Sequence, residues 1–226
     1  MSGRAHPGLF VTLEGGDGSG KSTQAGLLAE WLEGRGRRTV RTREPGGTDA
    51  GVEIRELVLH HRGAIAPRAE ALLYAADRAQ HIATLVRPAL ERGDVVIQDR
   101  YLDSSVAYQG AGRVLDGGEI ERLSLWAAED LMPDVTILLD LDERVARGRL
   151  DRARTRYDRL ESEAAAFHAR VRRAYLDIAE RDPERVLVLD ATLPADELAA
   201  RIRDRVAAVL PEAPDGPAQP GVGGIR

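Results

Sequence analysis

The nine residues GGDGSGKST, from Gly15 to Thr23, constrain this chain more than any other stretch. Gly15 to Ser22 fit the spacing G-x-x-x-x-G-K-[ST]. They follow LFVTLE, a short apolar run, and lead into KSTQAGLLAEWLEGRG, where apolar residues recur at helical spacing until glycines stop them. A glycine-rich helix start can end in Lys-Ser by chance, but a strand before it and a helix after it favour a phosphate cradle. The glycines let successive backbone N–H groups turn inward, and the helix N-terminus adds partial positive charge. Lys21 is the only lysine among 32 Lys and Arg residues. Lysine is a compact point charge on a flexible stem, whereas arginine is a rigid planar fork. A loop wound around a phosphate has room for the first and hardly for the second. On this reading Lys21 bridges the β- and γ-phosphates of a nucleotide, and Ser22 offers its hydroxyl to Mg²⁺.

The rest of the chain alternates strand-like and helix-like segments. RTVRTR, DVVIQD, DVTILLDL and RVLVLD join LFVTLE as candidate strands, each apolar without strict alternation or closed by a turn signal. Helical patterns run over 50–60, 67–92, 104–108, 118–131 and 194–210, with a long polar helical region over 142–182 broken near Thr155. Strands separated by helices imply parallel crossover units and a sheet covered on both faces. The expected fold is α/β, a five-stranded parallel sheet flanked by helices. We expect an N-terminal extension over 1–8, one domain over 9–210, and a disordered Pro- and Gly-rich tail over 211–226.

Composition narrows the function. The net charge of −5 argues against a general nucleic-acid binder. With no cysteine there is no disulfide, thiolate metal site or cysteine nucleophile. No run reaches the ~18 apolar residues of a membrane span, and MSGRAHPGLF lacks a signal-peptide core. The expected address is the cytoplasm. The five histidines form no cluster with metal-ligand spacing.

Two further stretches suit phosphate chemistry. VVIQDRY puts Asp99 and Arg100 at a strand's carboxyl end, where ligand crevices form in parallel sheets. The Asp suits Mg²⁺ and the Arg suits phosphate, although the same pair also serves as a solvated turn. RLDRARTRYDR carries Arg149, Arg152, Arg154, Arg156 and Arg159. Such a run is ordinarily a solvated helix face; beside a phosphate loop it reads better as a segment closing over transferring phosphates.

Taken together, EGGDGSGKSTQ, TREPGGT, EIRELVL, LLYAADRAQH, VVIQDRYLDSSVAYQGAGR, PDVTILLDLD and YDRLE resemble the bacterial thymidylate kinases, in that family's order, over about 10–210. The resemblance implies the P-loop nucleoside monophosphate kinase fold with a short lid, about 147–159. It implies transfer of the ATP γ-phosphate to dTMP, with Mg²⁺ held near Ser22 and Asp99, and a homodimer. ATP would lie along Gly15, Gly16, Asp17, Gly18, Ser19, Gly20, Lys21, Ser22 and Thr23. The dTMP site would comprise Asp17, Arg43, Arg55, Tyr74, Arg78, Arg100, Ser105, Tyr108 and Gln109, with Arg55 at the phosphate and Tyr74 on the thymine ring. Tyr74 and Arg78 are four apart and share a helix face; without the resemblance Tyr74 would read as core. Ser105 and Gln109 have the same spacing, and an amide offers the donor and acceptor an imide edge requires. Some members carry Arg where this chain has Gly18, so the catalytic cations here would be Lys21, Arg100 and the lid's Arg149, Arg152 and Arg154. Which lid arginine touches phosphate stays open.

Three rival readings differ in sequence. A deoxynucleoside kinase needs no arginines for an acceptor phosphate, yet Arg43, Arg55 and Arg100 are present. A GTPase switch needs an Asn-Lys-x-Asp element, and this chain has no asparagine and no second lysine. A purely structural protein leaves the phosphate loop unexplained.

Overall fold

A computed structural model describes residues 6–153, 158–161 and 163–211. Arg154 and Arg156 of the expected lid, and the tail beyond residue 211, lie outside them. Five strands, β1 (Leu9–Glu14), β2 (Thr39–Arg43), β3 (Val95–Asp99), β4 (Val135–Asp140) and β5 (Val186–Asp190), form one sheet. Its order is β2-β3-β1-β4-β5 and every neighbouring pair is parallel. Parallel strands need long crossovers, and helices supply them on both faces. In chain order these are α1 (Lys21–Glu33), α2 (Asp49–His60), α3 (Pro67–His81), α4 (Arg87–Glu91), α5 (Leu102–Ser105), α6 (Gly117–Ala127), α7 (Glu143–Ala153), α8 (Ala165–Arg181) and α9 (Ala195–Ala207).

The central strand β1 is buried at all six positions because both its faces are covered. Its side chains alternate between two layers. Leu9, Val11 and Leu13 join Leu28 and Leu32 of α1 and Ile202 and Val206 of α9 in one core. Phe10 points the other way, into a core with Ile82, Val86, Leu90 and Tyr101. Thr12 and Glu14 share that parity. Thr12 hydrogen-bonds Thr136 across to β4 at 2.8 Å, and Glu14 enters the layer of α5 and α8.

Register decides what meets at the carboxyl edge. Leu13 pairs with Asp99, and Asp99 pairs with Arg43. The backbone N–H of Arg100 donates to Leu13 O at 2.9 Å. The loops after β1 and β3 therefore leave the sheet side by side, one carrying glycines and the other Arg100.

Two helical patterns differ from simple α-helix. The stretch expected over 67–92 is α3 and α4 joined by a π-helical turn, Ile82–Val86. The stretch expected near 104–108 is α5 followed by a π-helical segment, Val106–Gly112. A π-helix closes on i→i+5 bonds; Ser105, at the end of α5, and Gln109, in the π-helical segment, still line one cavity.

Candidate active site

The loop after β1 takes the shape its glycines permit. Gly15, Gly18 and Gly20 have φ of 132°, 77° and 97°, in the region that side chains resist. A Cβ at Gly15 would stand 2.5 Å from Leu139 O. Helix α1 begins at Lys21 with no side-chain cap and no acidic residue in its first turn. Its first N–H groups thus remain available to an anion. Lys21 Nζ donates to Gly15 O at 3.1 Å and Gly16 O at 2.9 Å, and the residue is 7% exposed. Burial, then the nearby Arg100 charge, pull the Lys21 ammonium below its ordinary pKa.

Ser22 Oγ donates to Asp99 Oδ2 at 3.1 Å. Asp99 Oδ1 is buried without a hydrogen-bond partner among the described residues. A hydroxyl and a carboxylate joined this way, with one oxygen unclaimed, make a hard-oxygen set suited to a small divalent cation. Among the described residues no group of three or more His, Cys, Asp and Glu could hold a metal by itself.

Arg100 links this loop to a second cavity. Its φ of 69° turns the side chain across the sheet edge. The guanidinium donates to Asp17 Oδ1 at 2.7 Å, to the Tyr108 hydroxyl at 3.2 Å, and to Ser104 Oγ and the Tyr175 hydroxyl at 3.3 Å each. Burial alone would raise the Asp17 carboxyl, but the Arg100 and Lys21 charges outweigh it and hold the group at about 2. Behind Arg100, Glu14 is fully buried. It accepts from Tyr101 N at 2.7 Å, Ser104 Oγ at 2.6 Å and the Tyr175 hydroxyl at 3.0 Å. Burial, followed by repulsion from Asp103, raises Glu14 to about 7 despite those bonds.

The second cavity lies between α3, α5 and the loop after β2. It brings together Asp17, Arg55, Tyr74, Arg78, Arg100, Ser105, Tyr108 and Gln109, eight residues the sequence assigns to one acceptor site. Tyr74 and Arg78 face it together from α3, as their spacing requires. Arg78 is 1% exposed; its Nε donates to Glu44 Oε2 at 2.9 Å and its Nη2 to Ser105 Oγ at 3.1 Å. Its Nη1 is buried and has no partner among the described residues. Gln109 Nε2 donates to Glu70 Oε1 at 2.9 Å. Arg55 Nη1 donates to Pro45 O at 2.9 Å, and burial followed by the Arg43 charge lowers its pKa. Arg43 itself is exposed and lines a different cleft, with Ser22, Gly46 and Asp99.

The expected lid helix, α7, lies against the phosphate loop. Arg149 donates to Gly18 O at 3.3 Å and to Ala191 O at 2.9 Å. A Cβ on Gly18 would meet Ala146 O at 3.2 Å, so the missing side chain makes room for α7. Arg152 is exposed and turned back on its own helix, donating to Gly148 O at 2.9 Å. Arg147 joins Asp17, Tyr108, His168 and Arg172 around a cavity of about 560 Å³ beneath α7.

Sequence reasoning missed the supports. Glu44 is braced by His81, whose Nδ1 lies 3.0 Å from it and whose Nε2 lies 2.6 Å from Thr42 Oγ1. Glu14, the one charge in an otherwise apolar strand, was a readable signal. Ser104 and Tyr175 were not, since they meet only through tertiary packing, 71 positions apart.

A phosphate loop on β1, an Asp-Arg step on the adjacent β3, and a polar buried cavity across Arg100 define the P-loop nucleoside monophosphate kinase class. Comparison narrows the class. Residues 13–202 match the sequence model of the family described as thymidylate kinase, and the chain belongs to that family. It is similar to the thymidylate kinase of Leifsonia xyli subsp. xyli, 74% identical over 200 residues, covering 88% of this chain and 95% of that protein. The thymidylate kinase of Clavibacter michiganensis subsp. michiganensis is 69% identical over 203 residues, covering 90% of this chain and 96% of that protein. The crystal structure of thymidylate kinase from Ehrlichia chaffeensis superposes with a TM-score of 0.71 at 32% identity, over 86% of this chain and 98% of that one.

Proposed function

We propose that this chain transfers the γ-phosphate of ATP to dTMP, giving dTDP and ADP, and so serves dTTP synthesis for DNA replication. A phosphate oxygen of dTMP attacks the γ-phosphorus in line, the bond to the β–γ bridging oxygen breaks, and its electrons leave on ADP. The attacking oxygen is already anionic, so the protein's task is positioning and charge neutralisation.

The observation that carries this reading is the gathering of Lys21, Arg55 and Arg100 around the seam between loop and cavity. Burial depresses Lys21 and Arg55 first; repulsion from Arg100 lowers Lys21 further, and repulsion from Arg43 and, more weakly, Arg100 lowers Arg55 further. Cations crowded this way favour an added anion. The Gly15–Thr23 backbone and Lys21 hold the ATP phosphates, with the Lys21 ammonium exchanging two loop carbonyls for phosphate oxygens. Arg100 and Arg55 hold the dTMP phosphate, with Asp17 fixing the Arg100 fork and Arg43 adding charge from the rim. Arg149, Arg152 and Arg154 supply lid charge. Tyr74 and Tyr108 pack on the nucleoside, and Ser105 holds Arg78. The unpartnered Arg78 Nη1 donates to a base carbonyl and Gln109 meets the neighbouring ring N–H.

Ser22 and Asp99 would hold Mg²⁺, which supplies charge neutralisation on the nucleotide phosphates. We also assign the chain to the cytoplasm; no described helix is long and apolar enough to cross a membrane. A homodimer is supported by exposed apolar residues on the α3–α6 side, Leu72 at 58% and Trp126 at 78% exposure.

A coupled ADP-release assay with ATP, Mg²⁺ and a panel of dTMP, dUMP, UMP, dCMP, AMP and thymidine tests the reaction. Turnover greatest with dTMP is expected. Turnover with thymidine but not with dTMP would overturn it.

A further inference from the structure

Glu70 has no part in the chemistry just described, yet it is the most heavily engaged carboxylate next to the acceptor cavity. It lies in the first turn of α3 and is fully buried. Gln109 Nε2 donates to Oε1 at 2.9 Å. Arg113 donates to Oε1 and Oε2 at 3.2 Å each. Arg159, at the end of the expected lid, donates to Oε2 as well. Arg159 is fixed in turn by a 2.8 Å bond from its Nε to Val58 O.

A carboxylate flanked by two guanidiniums stays ionised. Burial alone would raise its pKa, but the bonds from Arg113, Gln109 and Arg159 lower it. An ionised carboxylate only accepts hydrogen bonds. Of the two ends of the Gln109 amide, only the NH₂ can face it. The amide oxygen is left with no hydrogen bond from the described residues, on a side chain that lines the acceptor cavity. Arg78 faces that cavity too, with a buried N–H that also lacks a partner. One wall thus offers a fixed acceptor and a fixed donor.

We infer that Glu70 is a specificity-positioning residue: by locking the Gln109 amide with its oxygen toward the cavity, it makes the site accept thymine and reject cytosine. Thymine carries a ring N–H donor beside a carbonyl acceptor, complementary to that wall. Cytosine carries an unprotonated ring nitrogen beside an amino group, so acceptor would face acceptor and donor would face donor. Sites whose buried polar groups are left unpaired by the wrong substrate discriminate strongly. The inference rests on the proposed binding of the dTMP base in this cavity. It adds that the selectivity is imposed through a residue that does not touch the substrate.

The test compares kcat/KM for dTMP and dCMP in the wild type, Glu70→Gln, Gln109→Leu and the double variant. A glutamine at position 70 can donate as well as accept, which frees the Gln109 amide to turn over. We expect the dTMP-to-dCMP ratio to fall at least about tenfold in E70Q, the scale of one exchanged hydrogen bond. In the Q109L background, E70Q should change the ratio no further. A ratio in E70Q within twofold of wild type overturns the inference and leaves the dTMP reading standing. An equal fall in both backgrounds also overturns it, because Glu70 would then act through packing. A wild type without preference for dTMP over dCMP sinks both claims. A measurement on the unmodified chain holds if E70Q does not fold. The Gln109 side-chain NH₂, assigned in nitrogen-15 spectra by its loss in Q109L, should exchange slowly with solvent in the ligand-free protein; free exchange overturns the lock.

Discussion

Lys21 is the residue whose shape matters more than its charge. It is packed between two loop carbonyls at about hydrogen-bond length and is nearly buried. A guanidinium there keeps the charge but lacks the space. Lys21→Arg should lower kcat by at least about 100-fold, the scale of losing one preorganised electrostatic contact, with little change in melting temperature. Near-normal turnover would show the size argument wrong. Glu14 yields a second prediction at this scale. Unfolded, its carboxyl titrates near the ordinary 4.5; folded, near 7. The folded chain therefore binds an extra proton between those values, and stability from this group falls as pH rises from about 4.5 to about 7. Melting of wild type relative to Glu14→Gln, followed from pH 4 to pH 8, should decline across that window. A flat difference would refute the shift. Both residues are plain in the sequence, but only Lys21 announces its role, because a loop motif is local in the chain. The fate of Glu14 depends on Ser104 and Tyr175 arriving from elsewhere.

Elements determine how the site is assembled. Helix α7 sits on the phosphate loop because Gly18 has no side chain and Arg149 bonds its carbonyl. Arg149→Ala should cost about 10- to 100-fold in kcat if α7 contributes lid charge; an unchanged kcat would detach this helix from catalysis. The π-helical segment Val106–Gly112 gives a stability test. A Cβ on Gly112 would stand 2.7 Å from the Phe167 ring. That ring is held by Tyr108 edge-on at 6.0 Å and by Arg113 at 5.0 Å, so it cannot swing aside. Gly→Ala gains up to about 1 kcal/mol of helix propensity, whereas overpacking costs about 1–3 kcal/mol. Gly112→Ala should therefore be destabilising by roughly 1 kcal/mol in urea denaturation, and a stabilised variant would contradict the packing. Strand and helix positions were legible from periodicity at nearly every element. The π-helical turns were not, since apolar spacing hardly distinguishes a widened turn from a regular one.

At the scale of the whole molecule, the sheet brings the glycine loop and Arg100 to one edge, and two large apolar side chains stand exposed on its helical flank. Trp126 and Leu72 are exposed on α6 and α3, which also contact each other. If this face joins two copies, Trp126→Glu should convert a dimer into a monomer in sedimentation velocity at micromolar concentration. A wild type that sediments as a monomer would remove the dimer from the account.

The sequence by itself determined the class of this protein. Alternating strands and helices imposed a parallel sheet, the glycine loop with its single lysine pointed to a phosphate site, and the ordered motifs pointed to the family. These features are legible because each acts over a few consecutive residues, where chain geometry alone brings the groups together. Tertiary structure decided the rest. It gathered eight of the nine proposed acceptor residues from α2, α3, α5, the π-helical segment Val106–Gly112 and the loops into one cavity, and set Arg43 in another cleft. It turned Arg152 back on its own helix and put Glu14 and Glu70 behind the residues they orient. Those arrangements depend on register across the sheet and on burial, which set the partner and the charge of each group. No spacing along the chain encodes either quantity.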